Sequence, residues 1–358
     1  MTEMTIETVL RRIEPVDQTF IRQAREHTAQ LVIPPRALGR LHDVAEQVCG
    51  IQRTLKPDIS KKCVLVFAGD HGVVQEGVSA FPQVVSMEMI RCFLQGGGGI
   101  NAISRLVDAA VKVIDMGIVS DMSSKDLKGG EHLVVSKIGK GTRNLARGPA
   151  MSRTEAEASI LGGFRQAERV IREGVTLLGT GDMGIGNTTP SAAIGAVLTG
   201  HDLEGMVGRG TGIDDTGLDK KRRAIAQGIR INQPDPEDGL DVLAKVGGFE
   251  IGGIAGCILA GAVHRVPVVI DGFISAAGAL IASSLCPQAR GFMLAGHCSE
   301  EPGHRAMLHS LGLQPILDLG MRLGEGTGGA LAMSILDGAL RVFGEVMTFE
   351  QAGVSKGV

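Results

Sequence analysis

Glu325 stands in Leu323-Gly-Glu-Gly-Thr-Gly-Gly-Ala330, with glycine on either side. A carboxylate with little solvent around it has its pKa raised and can serve as a base. An acid capping the helical pattern Ala330–Phe343 fits the same letters. A second constellation is Gly179-Thr-Gly-Asp-Met-Gly-Ile-Gly-Asn-Thr-Thr-Pro190, which follows an apolar run and precedes a helical pattern. Glycines at a helix N-terminus leave N–H groups pointing outward, where the dipole favours negative charge, so a phosphate is the natural guest. Asn187, Thr188 and Thr189 add side-chain donors, and Pro190 suits a first helical turn. A merely tight strand-to-helix turn is the other reading.

Gly179, Gly181 and Gly184 also fit G-x-G-x-x-G. A dinucleotide site wants an acidic residue closing the next strand about twenty residues on. Asp202 and Glu204 fall near there, but Pro190–Gly200 does not clearly supply that strand. In Gly208–Arg223 a glycine-rich turn enters a helix that carries Lys220, Lys221, Arg222 and Arg223 early. Cations there oppose the dipole. An external anion is one reason for them, and a solvated basic face is the expectation for Lys220, Arg222 and Arg223. Asp70, His71, Asp271, His297 and His304 have metal-ligand chemistry but not the short helical spacing of a ligand set. Structural histidines and no metal are expected.

These residues need elements to hold them. Val64–Ala68 is a continuous apolar run ending in Gly69-Asp-His-Gly72, which reads as a buried strand. Ala110–Gly117, Val175–Leu178, Val266–Ile270 and Gly291–His297 read alike. Helical spacing fills Val84–Leu94, Arg153–Glu173, Pro190–Leu198, Asp219–Arg230, Gly248–Val263 and Ser275–Leu285. It also fills Thr8–Ile13, Gln18–Leu31 and Leu41–Leu55, and resumes from about Ala306. Strand, glycine-bearing loop and helix in repetition predict an α/β fold, a Rossmann-like, mostly parallel sheet flanked by helices. Ligands of such sheets bind beyond the carboxyl ends of the strands. The loops at Gly69, Gly179, Asp271 and Gly296 are therefore expected to converge. At roughly 150 residues per domain, 358 residues allow one large domain or two. Residues 61–300 read as the substrate-binding domain, and 1–60 plus 301–358 as a smaller helical one.

Composition narrows the function. The chain has 10 Phe, no Trp and no Tyr, and a net charge of −3, so neither base-stacking platforms nor a basic footprint for nucleic acid is present. Glycine supplies 52 of 358 residues, about twice the usual ~7%. Many backbone positions must turn sharply or approach something closely. Cys49, Cys63, Cys92, Cys257, Cys286 and Cys298 form no C-x-x-C pair, which suits reduced thiols in the cytoplasm. The N-terminal letters carry acids and lack an apolar core, unlike a signal peptide. The apolar tract Ile251–Val263 is shorter than the roughly twenty residues of a membrane span, so its Gly252-x-x-x-Gly256 reads as close packing in a core.

In order along the chain, Ala68-Gly-Asp-His-Gly-Val-Val, Glu76-Gly-Val-Ser-Ala-Phe-Pro-Gln83, Met183-Gly-Ile-Gly-Asn-Thr-Thr-Pro190, Gly208–Lys221, Asp271-Gly-Phe-Ile-Ser275, His297-Cys-Ser-Glu-Glu-Pro-Gly-His304 and Leu323-Gly-Glu-Gly-Thr-Gly328 resemble the nicotinate-nucleotide–dimethylbenzimidazole phosphoribosyltransferase family. The resemblance implies transfer of phosphoribose from nicotinate mononucleotide to a benzimidazole nitrogen, with inversion at the anomeric carbon. The products are α-ribazole 5′-phosphate and nicotinate, made in cobalamin nucleotide-loop assembly. It implies no cofactor, a cytoplasmic homodimer, and either dimethylbenzimidazole or a related flat base as acceptor.

By match to the family pattern, Glu325 is the base and Asp182 an auxiliary carboxylate. Gly184, Gly186, Asn187, Thr188, Gly210 and Lys221 would hold the phosphate, and Asp271 and Ser299 would line the nucleotide side. Ser79, Phe81, Gln83, Met183 and Leu323 would surround the acceptor. The family usually has Glu where Asp182 stands. Its early Lys-Pro…Ser-Leu-Gly appears as Pro34-Pro-Arg-Ala-Leu-Gly39, without the lysine and the serine. An NAD(P)-dependent oxidoreductase built on Gly179–Gly184, or a non-catalytic nucleotide sensor, is the alternative.

Overall fold

The computed structural model describes residues 4–122 and 128–355. Among them six strands make one sheet: β1 (Lys62–Gly69), β2 (Ala109–Gly117), β3 (Leu133–Val135), β4 (Leu177–Met183), β5 (Val268–Ile270) and β6 (Met293–Ala295). Their order is β3-β2-β1-β4-β5-β6, and each adjacent pair is parallel. The order reverses between β1 and β4, which opens a crevice beyond their carboxyl ends.

β1 is buried at all eight positions because helices cover both faces of the sheet. Its pleat sends Cys63, Leu65 and Phe67 into one core and Val64, Val66 and Ala68 into the other. The first core lies under helices Arg153–Arg172, Phe249–His264 and Phe273–Leu285. The second lies under Arg40–Gln52, Val84–Leu94, Gly99–Leu106 and Thr327–Glu345. Burying a Phe such as Phe67 or Phe164 stabilises the fold by about 1.5–3 kcal/mol each.

Glycine sets how closely these layers meet. A side chain at Gly163 would overlap the Gly253 carbonyl, and one at Gly256 the Ile160 carbonyl. Helices Arg153–Arg172 and Phe249–His264 therefore pack backbone to backbone, and Gly256 of the G-x-x-x-G tract is a core contact. Among the described residues no helix is long and apolar enough to cross a membrane.

The strand after Arg153–Arg172 differs from expectation in a way that matters. β4 continues to Met183 and takes in Gly179 and Gly181. Its register against β1 runs unbroken from Lys62↔Leu177 to Ala68↔Met183. The glycines are strand positions because something must lie on them. A side chain at Gly179 would meet Met333 Cε at 2.7 Å, and one at Gly181 would overlap the Glu325 carbonyl. Edge strand β3 and helices Gly99–Leu106 and Gly239–Val246 were not anticipated, each being too short for its period to show. The helix expected from Asp219 starts at Asp215, where the Asp214 side chain caps it by accepting from Gly217 N at 2.8 Å.

Helix Gln18–Thr28 packs on Arg40–Gln52, which packs on Thr327–Glu345. Leu31 bridges Thr348, and His27 Nε2 lies 2.9 Å from the Phe343 carbonyl oxygen. On these contacts we propose 1–60 with 301–358 as a smaller helical unit beside 61–300, although its buried residues are continuous with the cores on both faces of the sheet. Residues 1–3 and 356–358 of those ranges lie outside the described residues.

Candidate active site

A cavity of about 430 Å³ opens at the crevice. The ends of β4, β5 and β6 and the Arg322–Glu325 turn supply its walls. The loops expected to converge from Asp271 and Gly296 do so through Gly272 and His297. The β1 loop stands behind them, with Gly69 so near Gly184 that a side chain at Gly184 would overlap the Gly69 carbonyl.

Glu325 lines the cavity and is 6% exposed. Its backbone is left-handed (φ 63°), between Gly324 (φ 81°) and Gly326 (φ 94°). Its Oε2 accepts from Ile100 N at 3.0 Å, at the start of helix Gly99–Leu106. Burial raises the Glu325 pKa, the amides of Ile100 and Gly99 pull it back, and the Asp271 charge raises it further. The result is a carboxylate fixed by backbone amides and more basic than usual.

Asp182 also lines the cavity, and its Oδ2 accepts from Asn187 Nδ2 at 2.9 Å. Burial, with Asp271 and Glu250 adding to it, lifts its pKa well above the usual carboxylate range. Two carboxylates in one cavity are thus driven upward to different degrees, Asp182 more strongly than Glu325. Asp271 is 1% exposed and is not among the residues that line the cavity. Its Oδ2 accepts from Gly326 N at 3.2 Å and its Oδ1 from Gly329 N at 2.8 Å.

The expected phosphate residues gather at one place. Gly184, Asn187, Thr188 and Gly210 line the cavity where helix Thr188–Thr199 begins. Gly186 turns the chain there with φ 93°. Lys221 is 1% exposed and sits behind them, its Nζ donating to Thr188 Oγ1 at 2.8 Å and to the Gly208 carbonyl at 2.9 Å. Burial lowers its pKa to about 8, with Glu301 opposing. A buried ammonium beside a helix start is a strong locus for an anion. Ser299 lines the same cavity, its N–H donating to His304 Nδ1 at 2.7 Å.

On the acceptor side Phe81, Met183 and Leu323 line the cavity, and Phe81 and Leu323 stand 47% and 60% exposed at its mouth. Ser79 and Gln83 are not among the lining residues. The Ser79 hydroxyl bonds both backbone groups of Phe81, accepting from its N–H at 3.2 Å and donating to its carbonyl at 3.1 Å. Gln83 Nε2 donates to the His71 carbonyl at 3.1 Å.

His71 Nε2 lies 2.9 Å from Glu250 Oε1, and both side chains are buried. Burial holds His304 at a pKa of about 3, so it is neutral. His297 lines the cavity with Nε2 3.6 Å from Asp271 Oδ1. Among the described residues no group of three or more His, Cys, Asp or Glu is arranged to hold a metal ion.

Sequence reasoning missed several lining residues. Val85 and Met89 add apolar wall from helix Val84–Leu94. Glu301 accepts from Gly210 N at 2.9 Å, and Arg322 Nη1 donates to the Gly210 carbonyl at 3.2 Å. The Gly96–Gly99 run before Ile100 was the available signal for the amides that hold Glu325.

The family model DBI_PRT, described as "Phosphoribosyltransferase", matches residues 13–354. The chain is 52% identical over 347 residues to the nicotinate-nucleotide–dimethylbenzimidazole phosphoribosyltransferase of Desulforudis audaxviator, covering 97% of each chain. It is 51% identical over 348 residues to the protein of the same name from Geobacter sulfurreducens, again covering 97% of each. The crystal structure of that enzyme from Thermus thermophilus superposes with a TM-score of 0.89 at 46% identity, covering 95% of this chain and 100% of that one.

Proposed function

The chain belongs to the DBI_PRT phosphoribosyltransferase family, and on that premise we propose how its site works. It moves the 5-phosphoribosyl group of nicotinate mononucleotide to dimethylbenzimidazole, giving α-ribazole 5′-phosphate and nicotinate in cobalamin lower-ligand assembly. The observation that carries the assignment of roles is the pairing of Glu325 with the Thr188 helix start and Lys221 around one cavity.

The chemistry follows from these groups. The phosphate binds at Gly184, Gly186, Asn187, Thr188 and Gly210 with the Lys221 ammonium behind them, and Ser299 faces the nucleotide. The acceptor ring lies against Phe81, Met183 and Leu323, whose wall continues to Val85 and Met89, while Ser79 and Gln83 act by fixing the Phe81 turn and the His71 loop. One ring nitrogen attacks the anomeric carbon as the bond to the pyridinium nitrogen breaks on the other face, so configuration inverts. The leaving electron pair neutralises the pyridinium, which needs no acid. The other ring nitrogen gives up its proton to Glu325. A positioned base of this kind is typically worth ~10²–10⁴-fold in rate, or about 3–5 kcal/mol of barrier. Asp182 is engaged by the Asn187 side-chain amide, and Glu325 is the carboxylate that accepts the proton. Negative charge near the anomeric carbon also favours the positive charge that develops there.

Gly179 and Gly181 lie inside β4, so the letters that suggested a dinucleotide loop do not form one. A nucleotide sensor would share the phosphate site and differ in turnover alone. We further propose that the enzyme works in the cytoplasm as a homodimer. The thiols suit that compartment, since all six cysteines are free, five of them are buried, and Cys63 is pushed up to about 12 by burial. Light scattering should then give twice 37.4 kDa. The test of function is release of nicotinate from nicotinate mononucleotide, with dimethylbenzimidazole, in buffer freed of metal. No release, or release only with Mg²⁺, contradicts the proposal.

A further inference from the structure

We propose that Asp271 is a positioning residue for the proposed base. Its buried carboxylate holds the left-handed turn that presents Glu325, rather than touching the nucleotide. The inference rests on the reading of Glu325 given above.

Three consecutive residues, Gly324, Glu325 and Gly326, have φ of 81°, 63° and 94°. The two glycines adopt that backbone freely, but a residue with a side chain disfavours it. Something must hold Glu325 there. Thr327 closes the turn from one end, its N–H and Oγ1 both donating to the Gly324 carbonyl at 3.1 and 2.8 Å. At the other end, Asp271 accepts from Gly326 N at 3.2 Å and Gly329 N at 2.8 Å. The carboxylate therefore bridges the residue after Glu325 to the first turn of helix Thr327–Glu345, and it carries negative charge where that helix dipole favours it.

Asp271 is itself anchored to the sheet. It follows β5 directly, and its N–H reaches Thr180 Oγ1 in β4 at 3.4 Å. The Glu325 carbonyl side of the turn rests on Gly181 of the same strand, where no side chain would fit. Two central strands thus set the height of the base over the cavity. The groups facing Glu325 are Asp182 from β4, Asp271 beyond β5, and the amides of Gly99 and Ile100. The group facing Asp271 from the β6 loop is His297.

A nucleotide-lining Asp271 and a positioning Asp271 make different predictions. In the kinetic assay, Asp271→Ala should lower kcat about 10²-fold, the scale of a displaced catalytic group, with KM for nicotinate mononucleotide unchanged within about threefold. Asp271→Asn keeps one acceptor and loses the charge. It should retain more turnover than the alanine variant and move the acid limb of kcat to lower pH, since a like charge near Glu325 is gone. A crystal structure of either soluble variant should show Glu325 out of the left-handed region. That geometry is read without turnover, so failure of the reaction itself is told apart from failure of this inference. Should Asp271→Ala not fold, the asparagine variant decides. An unmoved turn, or a raised KM with kcat intact, overturns the proposal and returns Asp271 to the nucleotide.

Discussion

Replacing Glu325 by Gln keeps the shape of the side chain and removes its basicity. The amide oxygen can still accept from Ile100 N, the contact that Oε2 makes at 3.0 Å, so the turn should survive. The proton-accepting function should not. General base catalysis is worth ~10²–10⁴-fold, so kcat for nicotinate release should fall within that range, equivalent to about 3–5 kcal/mol at roughly 1.36 kcal/mol per decade. KM for nicotinate mononucleotide should stay close to that of the parent, because the residues proposed for the phosphate are unchanged. The pH profile supplies an internal control. Burial raises the Glu325 pKa, so parent kcat should fall as pH drops through a value above the ordinary carboxylate one. The Gln variant should lack that limb. Stability should move the other way. A carboxyl whose folded pKa is raised binds protons more tightly folded than unfolded, so at neutral pH its charge costs stability, and the cost fades as pH falls. The variant should therefore melt higher than the parent at about pH 7, with a gap that narrows in acid. Full activity in Glu325→Gln, or an acid limb that persists in it, refutes the assignment.

Other outcomes follow from the same geometry. Lys221→Met removes a buried ammonium beside the proposed phosphate, and a charged hydrogen bond is worth about 1.5–3 kcal/mol, so KM for nicotinate mononucleotide should rise on the order of 10–100-fold in steady-state assays. Because the Lys221 pKa is lowered to about 8, the parent's kcat/KM should decline above that pH as the free enzyme loses the charge, and the Met variant should not show this decline. Gly181→Ala sets a methyl against the Glu325 carbonyl, and rate measurements should show about 10²-fold lower kcat, as displaced catalytic groups do. Ser86 links Asp70, to which its Oγ donates at 2.5 Å, with Ile185, whose N–H it accepts at 3.1 Å. Ser86→Ala leaves both buried groups without that partner, and denaturant titration should find about 1–3 kcal/mol of lost stability.

Much of the fold could be read from the chain because a parallel sheet buries both faces. Val64–Ala68 is continuously apolar for that reason, and so announces β1 without alternation. The reading of β4 stopped at Leu178 because glycine rarely sits inside strands, and no local rule shows that Gly181 faces another backbone. β3 is three residues long, and helix Gly99–Leu106 spans eight, too few for a period to emerge. The residues proposed for the phosphate are contiguous with a helix start, so their chemistry was visible locally. The partners of Glu325 were not. Ile100 and Asp271 lie 225 and 54 positions away in sequence, and their contacts with the Glu325 turn exist only once the sheet has assembled. Arg322 and Glu301 escaped notice for the same reason, since both act on Gly210 across loops distant in the chain.

The most direct test is a crystal structure of Glu325→Gln with nicotinate mononucleotide and dimethylbenzimidazole both bound. The account predicts a ring nitrogen of the acceptor within hydrogen-bond reach of the substituted amide, about 2.6–3.2 Å, with the phosphate at the Thr188 helix start beside Lys221. An acceptor ring bound beyond reach of that side chain, with both substrates ordered, contradicts it.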